Sequence, residues 1–142
     1  MSVKTALYAE LASISNVTNV VSTRIWLGQA KQNETLPYIV YHRLDSTPEH
    51  HMLAQAGIAR DMFQIDCYDD DPDDTHDLSE IVRLALNGKT GTIGAGVHTA
   101  VVQRMAMLNS FDMYEEPIAK GDKGIYSEKQ TWEMWHTISV PT

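Results

Sequence analysis

Between Arg60 and Leu86 the hydrophobic period of the chain changes from two to about 3.6 without a break, which limits the available folds more than any other feature. Phe63, Ile65 and Cys67 alternate with Met62, Gln64, Asp66 and Tyr68, which predicts a strand over 60–68 with the Cys67 side facing inward. Residues 69–74 then supply a run of aspartates with Pro72 among them, ahead of Leu78, Ile81, Val82, Ala85 and Leu86. Acidic groups and a first-turn proline start a helix, and a glycine just past its last turn ends it, so a helix runs to Asn87 with Gly88 closing it. The strand and the helix each carry one apolar face, and the simplest way to bury both is a helix layer on one side of a sheet.

The rest of the chain extends this pattern. Val3, Leu7, Leu11 and Ile14 recur at steps of four and three, predicting a helix over 3–14 capped by Ser2. Residues 15–23, rich in Ser, Asn and Thr, read as a turn or one short helical turn, and Ile25-Trp26-Leu27 as a short strand ended by Gly28. Pro37 opens a strand over 38–44 dense in β-branched and aromatic residues. Residues 45–59 read as a long loop, 89–96 as a glycine-rich connection, 97–108 as a strand, 109–127 as a second long loop and 128–140 as a last strand. In the strand at 97–108, Val97, Thr99, Val101, Gln103, Met105 and Met107 are expected on one face, with Ala100, Val102, Ala106 and Leu108 on the other. The expectation is one domain over 1–142, an α+β two-layer sandwich in the order α-β-β-β-α-β-β. Two helices lie on one face of a largely antiparallel sheet of about five strands, and the passage 60–108 forms a crossover between parallel strands.

Charge and cysteine content narrow the function. A formal net charge of -8 works against binding of phosphate backbones and anionic membrane surfaces. No apolar stretch approaches the roughly 20 residues needed to cross a bilayer, and Met1 to Lys4 lead straight into an amphipathic pattern, so neither a membrane span nor a secretion signal is expected. Cys67, the one cysteine, allows no internal disulfide and fits a reducing compartment.

Motifs for chemistry are sparse. Gly88-Lys89-Thr90 imitates the end of a phosphate-binding loop, but Arg83 stands where that motif needs glycine and the segment follows a helix, not a strand. Gly91, Gly94 and Gly96 lack the order of a dinucleotide fingerprint. The acidic run 66–74 lacks the central Gly and closing Glu of a calcium loop, and helix capping accounts for it. No pair of histidines has metalloprotease spacing, and Cys67 alternates with core residues. The reading is therefore of a non-enzyme with no cofactor, no metal and no catalytic residues, its one enzymatic alternative being a metal-dependent hydrolase built on Asp66, Asp69 and His76.

Several landmarks occur in a telling order: an N-terminal helix leading to Thr23-Arg24-Ile25-Trp26, the strand entry Leu36-Pro37-Tyr38-Ile39-Val40-Tyr41, and Phe63-Gln64-Ile65-Asp66-Cys67-Tyr68 before an acidic turn and helix. An aromatic strand around Trp132 and Trp135 closes the chain. In these features the chain resembles the tail-completion or tail-terminator proteins of long-tailed bacteriophages and prophages. The resemblance implies a virion structural protein of the tail neck, assembled in the host cytoplasm. It would form a homo-oligomeric ring of six copies that caps the tail tube protein, stops its polymerisation and joins the head-completion protein, with DNA passing through the lumen unbound. Another head-tail connector protein is the alternative within the same biology. A closed ring needs two different patches on each copy, and apolar groups in polar loops are the candidates: His50, Met52 and Leu53 in the first long loop, and Tyr114, Ile118 and Tyr126 in the second. The acidic residues 69–74 with Glu115 and Glu116 are candidates for a channel wall that repels DNA.

Overall fold

A computed structural model of the chain describes residues 3–31, 34–50, 55–95, 98–115 and 124–137. Among these, the elements run α1 (Val3–Ser13), α2 (Ser15–Val21), β1 (Ile25–Leu27), β2 (Tyr38–His50), β3 (Gln55–Asp69), α3 (Pro72–Leu86), β4 (Gly91–Ala95), β5 (His98–Glu115) and β6 (Ile125–Thr137). The fold is mixed α+β as expected, with one helix and one strand beyond the two and five that periodicity predicts.

The start of α3 shows why local reading works there. The Asp71 carboxylate accepts hydrogen bonds from the N–H groups of Asp73 at 2.9 Å and Asp74 at 3.2 Å, satisfying amides that have no partner inside the helix. At the other end Gly88 takes φ +78°, and its N–H donates to the Met105 carbonyl at 2.8 Å, stitching the helix end to β5. The added helix, α2, begins where Ile14 breaks the helical path at φ -89°, ψ 111°. Only Val17 and Val21 of α2 are buried, a single i, i+4 pair too short to show as a stripe. The added strand, β4, was hidden by glycines: Gly91 and Gly94 both take positive φ, and among its described side chains only Ile93 is buried in the core.

The sheet order is β1-β2-β3-β6-β5-β4, with β1 parallel to β2 and every other pair antiparallel. The crossover expected over 60–108 is corrected in one respect. β3 and β5 do run parallel, but β6 lies between them, so the strands it joins are not neighbours.

The helices cover one face. Ile39, Tyr41, Phe63, Ile65, Cys67, Trp132 and Met134 pack there against Leu7, Leu11, Leu78, Val82 and Leu86 in one apolar cluster, with Cys67 inward as predicted. Polar ties fix the layers. The Tyr41 hydroxyl donates to the Lys4 carbonyl at 2.7 Å, and Gln130 Nε2 donates to the Ser79 carbonyl at 2.8 Å while its Oε1 accepts from Trp132 Nε1 at 2.9 Å. In β5 the simple alternation fails: Val102 and Met105 both enter the core because the register shift at Val102/Arg104 changes the phase of the strand, and a second shift follows at Met107/Asn109.

The two long loops are corrected as well. Residues 45–50 and 55–59 continue β2 and β3, and residues 109–115 and 125–127 continue β5 and β6. Both regions are hairpin arms whose mostly polar, exposed residues carry no core-facing period.

Candidate functional site

The arms project from opposite ends of the sheet, each beyond a short edge strand. β1 pairs with β2 only from Ile39 to Tyr41, so no described strand covers the outer edge of β2 from 42 to 50. That edge is interrupted by a register shift between Arg43 and Asp45 and by Pro48, which has no N–H to offer another strand. Inside this arm Asp61 is fully buried. Its Oδ1 accepts from the Ser46 hydroxyl at 2.5 Å and lies 3.2 Å from His136 Nε2, while Arg43 Nη1 stands 3.6 Å from Oδ2. Burial pushes the Asp61 carboxyl up, but the His136 and Ser46 contacts outweigh it and hold the group below its ordinary value. Burial likewise pushes His136 down, and the Asp61 carboxylate outweighs it and raises the imidazole. Ser, His and Asp thus meet around a carboxylate hub. Ser46 donates to Asp61 and not to a base, so this is a structural cluster and not an activated nucleophile.

The second arm is built differently. β4 pairs with β5 only as far as Val102, and the Gly88 N–H and Asn87 side chain cover the Met105 carbonyl and Met107 N–H. From 108 to 115 no described strand or hydrogen bond covers the outer edge of β5. Leu108, Phe111, Met113 and Tyr114 on it are 46–48% exposed. The Tyr114 and Tyr126 rings lie 4.6 Å apart, with the buried Gly124 backbone directly beneath the Tyr114 ring. Between this arm and the start of α3 lies a groove of about 450 Å³ that includes His76, Asp112, Tyr114 and Glu128. His76 Nδ1 lies 3.1 Å from Glu128 Oε2, and that contact raises the exposed imidazole. Asp69 pairs across the sheet with Tyr126, and Tyr126 with Tyr114, so the acidic turn before α3 and the acids Asp112 and Glu115 gather at one end of the subunit.

The sheet face away from the helices carries in-register rows. Tyr38 stacks on Tyr68 at 4.9 Å, and Lys129 Nζ reaches the Tyr68 hydroxyl at 3.1 Å and Asp66 Oδ2 at 3.2 Å. Toward the opposite end Arg60, Trp135 and Arg104 form one row.

Of the residues expected to make contacts, Tyr114 and Tyr126 are brought together and His50 ends β2 opposite Gln55. Met52, Leu53, Ile118 and Glu116 lie outside the described residues. The hydrolase set does not converge: Asp66 and Asp69 occupy opposite faces of β3, Asp66 paired with Lys129, while His76 on α3 is held by Glu128. Burial pushes the Cys67 thiol far up, away from nucleophilic use. Sequence reading missed Phe111 and Met113 as surface residues of a strand, although they alternate with Asp112 and Tyr114. It also missed Arg60 and Arg104, which nothing local connects.

The family described as tail completion protein gp17 matches this chain over residues 5–115, from α1 to the end of β5. A chain from the virion of a native gene transfer agent particle shares the fold at a TM-score of 0.70 and 12% identity, over 96% of this chain and 94% of that one. No curated protein matches the chain.

Proposed function

This chain belongs to the tail completion protein gp17 family, structural proteins of phage tails, and from that membership we propose that it is the subunit of a ring that caps the tail tube. The match over residues 5–115 carries the reading, because it takes in the whole helix layer and five of the six strands. In this reading six copies close a ring on the last layer of tail tube protein, stop its growth and present their other side to a head-completion protein. The complex forms in the host cytoplasm and resides in the neck of the virion.

Two physical features support it. The subunit has, at opposite ends of its sheet, two unlike edges that no described strand covers, and a closed ring needs unlike patches on each copy. A net charge of -8 keeps a passing duplex from adhering to the wall of the lumen, since phosphate neutralisation is what holds DNA to proteins. The fold likeness to a chain of a phage-like virion particle is consistent with such a place.

Deleting the gene from a phage that carries it tests the role. Electron microscopy is expected to show overgrown tails or tails without heads. Tails of normal length joined to heads would sink the proposal.

A further inference from the structure

The β5–β6 arm leaves two needs unmet inside its own subunit. Along 108–115 the outward N–H and C=O groups of β5 face no described strand, and four large apolar side chains beside them are nearly half exposed. Beyond the register shift at Met107/Asn109, an apolar edge of this length is a template for another chain. The acids on it, Asp112 and Glu115, decide which one. Two such arms laid edge to edge would set these acids, and the acidic turn before α3, against their own copies, so arm-to-arm pairing is disfavoured.

A complementary surface lies at the other end of the same molecule. Arg60, Trp135 and Arg104 stand in register on the face away from the helices, which puts the two arginine backbones about 10 Å apart at the usual strand spacing. Neither guanidinium has an ion pair among the described residues, and Trp135 between them is partly buried, its indole N–H donating to the Glu133 carboxylate. Arginines flanking a partly buried indole suit a strand that carries both carboxylates and apolar side chains.

We infer that the β5–β6 arm of one copy docks, through Phe111, Asp112, Met113 and Glu115, on the Arg60–Trp135–Arg104 row of the next copy. Donor and acceptor occupy opposite ends of the subunit, so the contact is head-to-tail and repeats until the ring closes. The inference rests on the ring reading above and supplies its subunit contact.

Native mass spectrometry of the full chain over a concentration series tests it with two double variants, Arg60→Glu with Arg104→Glu and Asp112→Arg with Glu115→Arg. Each alone sets like charges against one another and is expected to raise the midpoint of assembly by ~10-fold or more. An equal mixture of the two is expected to assemble like the wild type, because every row then meets an arm of opposite charge, a recovery that misfolded protein could not give. The neutral pair Arg60→Gln with Arg104→Gln is expected to fall between, with an unchanged circular dichroism spectrum. Wild-type-like assembly of either charge-reversed variant alone, or a mixture without recovery, would overturn this contact and leave the ring standing. A wild-type chain that stays monomeric at every concentration and also forms no ring on purified tail tubes would overturn the ring reading with it.

Discussion

The two hairpin arms solve the same problem in opposite ways. Both extend a long strand past a short neighbour and so expose backbone that another chain could pair with. The β2–β3 arm defends its edge with a register shift at Arg43/Asp45 and with Pro48, and it fastens itself inward through the buried Asp61–His136 pair. The β5–β6 arm has no proline in its described part and turns Leu108, Phe111, Met113 and Tyr114 outward. Edge defences cost nothing in function when an edge is meant to stay bare. The β5–β6 arm has its register shift at its base, between Met107 and Asn109, and beyond it no described proline or shift interrupts the edge, which is why it is the side proposed for contact.

The largest expected effect breaks the inward fastening. Asp61→Ala leaves His136 and Arg43 facing an empty site and is expected to lower unfolding free energy by about 3–5 kcal/mol. Urea denaturation measures it, and a loss under ~1 kcal/mol would show that the cluster does not hold the arm.

The same cluster should carry a pH dependence that the other arm lacks. His136 is raised in the fold, so its contribution is complete below the ordinary histidine value and is lost as pH rises through the raised one. Asp61 is depressed, so its contribution is present above the ordinary carboxylate value and is lost as pH falls through the lower one. Thermal midpoints are therefore expected to fall from mildly acidic to alkaline pH, and His136→Asn should flatten that slope. His76→Asn should leave it nearly unchanged, because the exposed His76–Glu128 pair is screened by water. Equal slopes in the two variants would erase the distinction between the arms.

Gly124→Ala sharpens the other side of the comparison. The new methyl would meet the Tyr114 ring, which is half exposed and can swing away, so the expected loss is ~1 kcal/mol or less with a changed near-ultraviolet tyrosine signal. An unchanged tyrosine signal would show that the ring does not rest on the glycine. Smallest in stability are Leu44→Lys on the defended arm and Phe111→Lys on the open one, each expected within about 0.5 kcal/mol of wild type by thermal unfolding. Only Phe111→Lys should weaken assembly in sedimentation, and a matching loss from Leu44→Lys would mean that both edges make contacts.

Much of this fold was legible in the sequence wherever the signal is local. Phe63, Ile65 and Cys67 face the core because side chains alternate along a strand, Asp71 caps α3 because its carboxylate reaches amides two and three residues ahead, and Gly88 ends that helix because glycine accepts positive φ. The arms were not legible, because few of their described side chains are both apolar and buried, which leaves no core-facing period to read, and β4 was hidden by conformations that only its glycines permit. Of the contact residues expected from sequence, Tyr114 and Tyr126 lie together on one arm, and their neighbours Phe111 and Met113 emerged only once that segment was a strand.

Tertiary structure alone decided which strands are neighbours. β6 inserts between β3 and β5, and that insertion brings Arg60 and Arg104 to either side of Trp135 and leaves part of β5 as an edge. Strand partners far apart in the chain are chosen by how the whole core packs and what closing each loop costs, and no local run of residues encodes that balance.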